Sequence, residues 1–386
     1  MIRLSDGIPY RSGGYWGAEP GGAEVDAKAV RNGDVGNSGE LKWGDLPLRG
    51  YTTREIAKAQ VRAGDILLTS SGNCGNVAFV SSEPTNITVA TNFVRILRVD
   101  PRLVDPRYVF HFLRTRQFLG GIEPFVRGAT IKNLSVESAF KALEMPAPDL
   151  AEQRRIAALL DHADALRAKR RRILAHLDDL TQSTFVDMFG HPVTGSRCPR
   201  AAVGSIAEVR TGNSPSRAIP ENFGDAIEWV KSDNLAGGFV ERASEGLSAR
   251  GKSVARIAPA GSVLVTCIAG SAASIGRAAV ADREVAFNQQ INAVLPSGDI
   301  HPYFLLTQFK VAPDLVRAKS TGGMKGMVSK SAFQAIQILL PPLGDQREFA
   351  KRMERVFALR ARVEGLVRLD DELFASLQSR AFKGEL

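Results

Sequence analysis

The sequence predicts a mixed α/β (α+β) fold: two pseudo-repeated domains joined by two long antiparallel coiled-coil helices. Three observations predict it. Short β-branched runs sit between Gly, Asn and Ser clusters and alternate with helical stretches. Two segments, 151–189 and 345–383, keep a 4-3 apolar spacing far longer than an ordinary helix. The chain also resembles itself at an interval of nearly 200 residues.

The repeat comes first because it organises the rest. Ala63-Gly64-Asp65-Ile66-Leu67-Leu68-Thr69 recurs as Ala260-Gly261-Ser262-Val263-Leu264-Val265-Thr266. Arg11-Ser12-Gly13-Gly14 matches Arg210-Thr211-Gly212-Asn213, and Val30-Arg31-Asn32-Gly33-Asp34-Val35 matches Val230-Lys231-Ser232-Asp233-Asn234-Leu235. Pro148-Asp149-Leu150-Ala151-Glu152-Gln153-Arg154 matches Pro341-Pro342-Leu343-Gly344-Asp345-Gln346-Arg347. The blocks keep the same order, and the offset drifts only from 200 (Val30 to Val230) to 193 (Pro148 to Pro341), as small loop deletions produce. The expected division is a first domain at 1–148, a helix at 149–190, a second domain at 191–340 and a second helix at 341–386.

Within the first domain, Ile66-Leu67-Leu68-Thr69, Asn76–Val80 and Phe93–Leu97 read as strands, and Pro106–Leu113 as a helix. The first long helix is predicted from Ala151 to Phe189, stopped by Gly190-His191-Pro192. Its expected seam is Leu159, Ala163, Leu166, Ile173, Leu177, Leu180 and Thr184, with Arg170 in the one gap. The second runs from Asp345 to Lys383, with seam residues Phe349, Met353, Val356, Val363, Val367, Phe374 and Leu377 and polar interruptions at Arg360 and Asp370. Leu359, Leu366, Leu369 and Leu373 form a second stripe expected to widen its apolar face. At 1.5 Å per residue each helix is about 60 Å long. Two helices matched in length and sequence can bury each other's seams, antiparallel because the first ends where the second domain begins.

Composition bounds the function. The 386 residues, 44% of them hydrophobic, suffice for two cores. No apolar run approaches the roughly 20 residues that span a bilayer, and Met1-Ile2-Arg3-Leu4-Ser5-Asp6 has no signal-peptide core, so a cytoplasmic protein is expected. Cys74, Cys198 and Cys267 are odd in number and far apart, and His111, His162, His176, His191 and His301 show no ligand spacing, so neither a disulfide framework nor a metal site is expected. Fifty Lys and Arg against 41 Asp and Glu leave a net charge of +9, which favours a polyanionic partner. The run Arg167, Lys169, Arg170, Arg171, Arg172 reads as a charged helix face.

The stretches that resemble catalytic motifs fail on their context. Gly246-Leu247-Ser248-Ala249-Arg250-Gly251-Lys252-Ser253 fits a phosphate-loop pattern but lacks a buried strand before it, and Val254–Pro259 after it alternates like a strand. Pro341-Pro342 lies between leucines, without the polar residue and aromatic that an amino-methyltransferase loop needs. No nuclease carboxylate pair or Ser/His/Asp set stands out, so the chain reads as a binder rather than an enzyme, with no cofactor.

On these blocks the chain resembles the specificity subunit of type I restriction-modification systems, twice over and across nearly its whole length. The resemblance rests on Arg210-Thr211-Gly212-Asn213-Ser214-Pro215, Trp229–Leu235, Ala269-Gly270-Ser271 with Ser274-Ile275-Gly276, and Asn288-Gln289-Gln290. The helix starts at Gln153 and Gln346 and the C-terminal Ala381–Leu386 add to it. It implies that each domain is a target-recognition domain reading one half of a split sequence in double-stranded DNA. It implies further that the paired helices fix the unread spacer and dock two methyltransferase subunits, and that restriction subunits complete the complex. Members often have a longer N-terminal lead than Ile2–Asp6 offers, which leaves a clipped start and a compact variant both open. Thr91-Asn92-Phe93 stands where the second domain has Asn288-Gln289-Gln290, so the two domains are expected to read different half-sites.

Base edges are read by Arg, Lys, Asn and Gln, and phosphates are held by backbone amides and small polar side chains. On that chemistry the candidates in the first domain are Arg11, Ser12, Tyr15, Arg31, Asn32, Asn37, Asn73, Arg127, Thr130 and Lys132. Those in the second are Arg210, Thr211, Asn213, Lys231, Ser232, Asn234, Ser271, Gln289, Gln290 and Lys325. The Gly-rich stretches 127–130 and 322–326 are expected to bring backbone close to a ligand. Two other classes stay open: a coiled-coil scaffold that does not read sequence, and an enzyme, either a methyltransferase or an ATPase using Lys252.

Overall fold

The computed structural model describes residues 1–195, 198–235, 238–321 and 326–386. The chain forms two compact units, Met1–Ala168 with Arg368–Leu386, and Lys169–Val367.

The first unit is built on two larger sheets. Strands β1 (Tyr10–Gly13), β2 (Val25–Val30), β3 (Leu48–Tyr51), β4 (Ile66–Thr69), β5 (Val77–Phe79), β6 (Thr88–Ala90) and β7 (Val94–Arg98) arrange in the orders β1-β7-β4-β5 and β3-β2-β6. β2 and β6 are parallel and the other pairs antiparallel. β4 is buried on both faces, which explains its unbroken apolar run. Alternation sorts its side chains: Ile66 and Leu68 pack toward the helices with Leu97, while Leu67 packs with Ile96 and Val89 between the sheets. Helix α1 (Pro106–Phe112) covers the first sheet; Asp105 caps it by accepting from the amides of Arg107 and Tyr108 at 2.9 and 3.0 Å, and Pro106 fills the position where an amide would go unpaired.

The second unit repeats this plan. The strands of its two four-stranded sheets are β8 (Val209–Thr211), β9 (Phe223–Val230), β10 (Gly246–Leu247), β11 (Ile257–Ala258), β12 (Val263–Thr266), β13 (Ala278–Val280), β14 (Val285–Phe287) and β15 (Ile291–Val294). They form the orders β8-β15-β12-β13 and β10-β9-β14-β11, with β9 and β14 parallel. The self-similarity in sequence is therefore a duplicated sheet topology.

Two long helices, α2 (Leu150–Phe189) and α4 (Leu343–Ala381), pack antiparallel within each unit. In the first, Arg167 of α2 bonds Asp371 of α4 at 2.7 Å, and Gln378 donates to the carbonyl of His111 at 3.1 Å. In the second, Arg170 donates to the carbonyl of Leu366 at 3.2 Å, Asp178 meets Arg360, and Phe185 packs edge-on to Phe349 at 5.6 Å. Gly190, at φ +79°, ends α2 in the left-handed conformation that spares it a Cβ clash. A third helix, α3 (Pro302–Val311), covers the second unit's sheet as α1 does the first's.

The α4 seam matches expectation at Phe349, Met353, Val363 and Phe374, all buried, with Phe357 added. The α2 seam needs correction. Leu159, Leu166, Ile173 and Leu180 are 36–48% exposed, and the buried residues are Gln153, Ile156, Ala157, Leu160, Thr181, Phe185 and Phe189. The supposed second stripe is likewise outward: Leu359, Leu369 and Leu373 are exposed. The reason is that the seam's middle is charged. Arg167 lies over Phe374 at 4.3 Å and pairs with Asp164 and Asp371; Arg360 pairs with Asp178 and Glu364. Stems of these arginines supply the apolar surface while their heads find carboxylates. On α2, heptad counting therefore picks up the outward leucines together with Ala163, which packs against the first unit's core, and Arg170, which bonds α4.

Candidate nucleic-acid interface

In each unit the loops between strands gather at one end of the sheets, tied by the same backbone bonds. In the first, Tyr15 N–H donates to Ala90 at 3.0 Å, Thr91 to Val30 at 3.0 Å, Val94 to Thr91 at 2.9 Å and Ser70 to Phe93 at 2.9 Å. In the second, Asn213 donates to Phe287 at 3.1 Å, Asn288 to Val230 at 3.0 Å, Ile291 to Asn288 at 3.2 Å and Cys267 to Gln290 at 2.7 Å. These bonds make Tyr15 equivalent to Asn213, Trp16 to Ser214, and 91–93 to 288–290. They also correct the sequence alignment by one residue. Arg11 opposes Leu97, as Val209 opposes Val294, so it is Ser12, not Arg11, that corresponds to Arg210. Gly14 and Gly212 coincide. A Cβ would lie 1.8 Å from the Ala90 carbonyl oxygen in one and 2.2 Å from that of Asn288 in the other, so only glycine lets the loop cross.

The structure spreads the first unit's candidates over three settings. Arg11 is turned inward, pairing with Glu137 at 2.9 Å and donating to the carbonyls of Ser5 and Ile8; this holds Glu137 below the usual carboxylate range. Ser12 is half-buried and bonds the Lys58 carbonyl at 3.2 Å, and Tyr15 packs on the core between the sheets. Arg31 is exposed beside Asp34, at 2.9 Å, and Asn37 is exposed in the loop that follows. The third setting is one continuous edge. Asn32 donates to Ser71 at 2.7 Å, and Gly72 N–H to the Lys132 carbonyl at 2.8 Å. Asn73, Thr130 and Lys132 are exposed there and line, with Cys74 and Glu123, a cleft of about 780 Å³; Arg127 is exposed on the hairpin beside it. Gly128, at φ +115°, makes that hairpin tight. Beneath the edge, Asn32 Oδ1 and the Thr91 hydroxyl are buried with no hydrogen-bond partner.

The second unit's candidates are more fully committed. Arg210 bonds Glu208 at 2.8 Å and the Ile257 carbonyl at 2.7 Å; the Thr211 hydroxyl donates to Asn292 at 2.7 Å. Asn213 is spent on the fold: its amide donates to Val254 at 2.9 Å and its oxygen accepts from Arg256 N–H at 2.7 Å. Asn234 holds the turn of Lys231 at 2.9 Å, and Lys231 pairs with Glu245, whose carboxyl it holds below the usual range. Ser271 is exposed on its loop. Ser232, Gln289 and Gln290 come together: the Ser232 hydroxyl donates to Gln290 Oε1 at 3.2 Å, Asn288 Nδ2 to the same oxygen at 2.9 Å, and the Ser214 hydroxyl to Gln289 Oε1. Asn288 is buried and Gln289 exposed. Lys325 and the stretch 322–325 lie outside the described residues.

The phosphate-loop look-alike is fold chemistry. Gly246-Leu247 is strand β10, Ser248 caps a six-residue helix, and Lys252 pairs with Glu284 at 2.6 Å. The three cysteines are unbridged, and burial pushes the Cys267 thiol up to about 12. Reasoning on polar residue types missed two surface rings at the first unit's loop edge, Trp16 and Phe93, and the Ser214 hydroxyl in the second. The glycine preceding Tyr15, mirrored at Gly212, was the signal that could have drawn attention to them.

Comparison with known proteins places this geometry. The family described as "Type I restriction modification DNA specificity domain" matches residues 48–177 and again 201–365. The type I restriction enzyme StySPI specificity subunit of Salmonella potsdam is 25% identical over 329 residues, 74% of this chain and 66% of that protein. The EcoKI specificity subunit of Escherichia coli K12 is 25% identical over 333 residues, covering 76% and 68%. The HindI specificity subunit of Haemophilus influenzae matches over 163 residues, 40% of this chain and 34% of that protein, at 24% identity. The chain thus spans between one third and about two thirds of these curated relatives. The crystal structure of a type I restriction-modification S subunit from M. genitalium shares the fold, with a TM-score of 0.59 at 14% identity, covering 98% of this chain and 95% of that one.

Proposed function

The chain belongs to the type I restriction-modification DNA specificity family, and from that membership we propose that it is the non-catalytic, sequence-reading subunit of such a system. Residues 1–148 and 191–340 are its two reading heads, and 149–190 and 341–386 are the helices that set the distance between half-sites. One observation supports this above others: the same sheet topology and the same loop-tying hydrogen bonds occur twice, each with different side chains at the loop edge. A duplicated scaffold with divergent loops suits a bipartite target. Phosphates are held by the basic surface, in keeping with the net charge of +9, and bases by the loop edges. No helix among the described residues is long and apolar enough to cross a membrane. The partners in this reading are double-stranded DNA, two methyltransferase subunits docked on the helices, and restriction subunits. Methyl transfer and cleavage belong to those partners, in the cytoplasm.

Selection of duplexes from a randomised pool by the full chain tests this. The expected product is a split motif. Exchange of residues 1–148 for the matching segment of another family member is expected to change one half and keep the other. Removal of one heptad from each helix shortens the spacer by about three base pairs, since seven residues rise about 10 Å. A pool with no enriched motif would refute the reading.

A further inference from the structure

The two heads place opposite chemistry at equivalent loop positions. In the first, Trp16 and Phe93 pack edge to face, with ring centroids 6.1 Å apart and planes at 66°. Both rings are open to solvent, Trp16 at 48% and Phe93 at 39%. The Phe93 carbonyl accepts from Ser70 N–H, and the Arg49 guanidinium sits 5.5 Å from the centre of the Trp16 ring. In the second head the same positions hold Ser214 and Gln290, both in polar pairs with other residues: the Ser214 hydroxyl donates to Gln289, and Gln290 accepts from the Ser232 hydroxyl at 3.2 Å. Backbone hydrogen bonds are shared, so the exchange concerns side chains alone.

Two large rings, one of them on the backbone that Ser70 ties to the start of the 71–73 loop, expose apolar surface where the second head exposes amides. In the major groove the one apolar group of any size that a base pair offers is the thymine 5-methyl; the groups that otherwise distinguish the pairs are hydrogen-bond donors and acceptors. An amide pair selects the latter, a ring pair the former.

We propose that Trp16 and Phe93 are specificity-determining residues of the first head that contact a thymine methyl, so that this half-site is read through an apolar contact and the other through the Gln289 and Gln290 amides. The inference rests on the DNA-reading function proposed above.

The test uses the full chain and the duplex it enriches from a randomised thymine-containing pool, with each thymine replaced singly by deoxyuridine, which deletes only the methyl. At least one replacement in the half-site assigned to residues 1–148 is expected to weaken binding about fourfold, the equivalent of one buried carbon. Trp16→Ala and Phe93→Ala are expected to lose that sensitivity while still enriching the other half-site, which shows that they fold. If no replacement in the first half-site matters, or if Phe93→Ala discriminates as well as the parent, the methyl contact is wrong and the rings act otherwise, for instance as a wedge indifferent to the methyl. If no motif is enriched at all, the DNA-reading function fails, and this inference with it.

Discussion

Gln153 accepts a hydrogen bond from the backbone N–H of Asp105 at 2.8 Å, and with its amide it holds the carbonyls of Pro148 and Leu103 at 2.8 and 3.3 Å, fully buried. Gln346 does the same work in the second unit, accepting from His301 N–H at 2.8 Å and donating to Pro341 and Asp299 at 2.9 and 3.2 Å. One glutamine thus fastens the start of each long helix to the loop that caps the helix covering its head.

Gln153→Ala leaves one amide and two carbonyls buried without partners and is expected to destabilise the first unit by about 3 kcal/mol. Hydrogen exchange in residues 148–160 is expected to accelerate by about a hundredfold, with the second unit's amides unchanged. Gln346→Ala is expected to give the mirror result.

Gly14→Ala and Gly212→Ala drive a methyl into a carbonyl and must break the Tyr15–Ala90 or Asn213–Phe287 bond. Each is expected to cost about 3 kcal/mol or more and to erase one half-site from the selected motif. Gly33→Ala, with open space around it and no positive φ, is expected to stay within about 0.5 kcal/mol of the parent in urea unfolding.

His111 is fully buried on α1 and bonds Asp161 of α2 at 2.8 Å, near Asp164 and Arg114. Burial lowers its pKa from the ordinary 6.5, with the carboxylates opposing. A lowered folded-state value means that the unfolded chain binds the proton first as pH falls. Stability is therefore expected to decline below about pH 6.5 until the folded histidine also protonates. Urea midpoints from pH 7.5 to 5 are expected to fall more steeply for the parent than for His111→Gln; equal slopes would disprove the assignment.

Arg167 bridges Asp164 and Asp371 while lying on Phe374. Since Asp371 is 40% exposed, screening reduces the ionic part, and Arg167→Ala is expected to cost about 1–2 kcal/mol. Arg167→Met, which keeps the stem, is expected to recover about half. A double-mutant cycle with Asp371→Asn separates the two contributions.

What the sequence made legible was whatever backbone geometry demands twice. Ile66–Leu68 and Val263–Val265 must be apolar because both faces of those strands are buried, and Gln153 and Gln346 recur because each satisfies three backbone groups. Helix phase was legible for α4, where phenylalanines mark the seam, and only in part for α2, where Ala163 and Arg170 face inward as expected but a leucine stripe faces outward. The loop edges were half legible. Residue type marked Asn32 and Asn73 at the first unit's edge and Gln289 and Gln290 at the second's, but it could not tell that Arg11 and Asn213 spend their hydrogen bonds internally, nor that two aromatic rings stay outside.

Phe374, Ala381 and Phe382 sit in the same core as Leu4, Tyr108 and Phe112, with the Phe382 ring 5.0 Å from that of Tyr108. During synthesis the N-terminal head therefore emerges long before the residues that finish its hydrophobic interior, whereas every residue of the Lys169–Val367 unit is already made. The later-translated unit is the one able to mature first. A nascent chain halted before residue 374 would leave its oldest part open to proteases and chaperones.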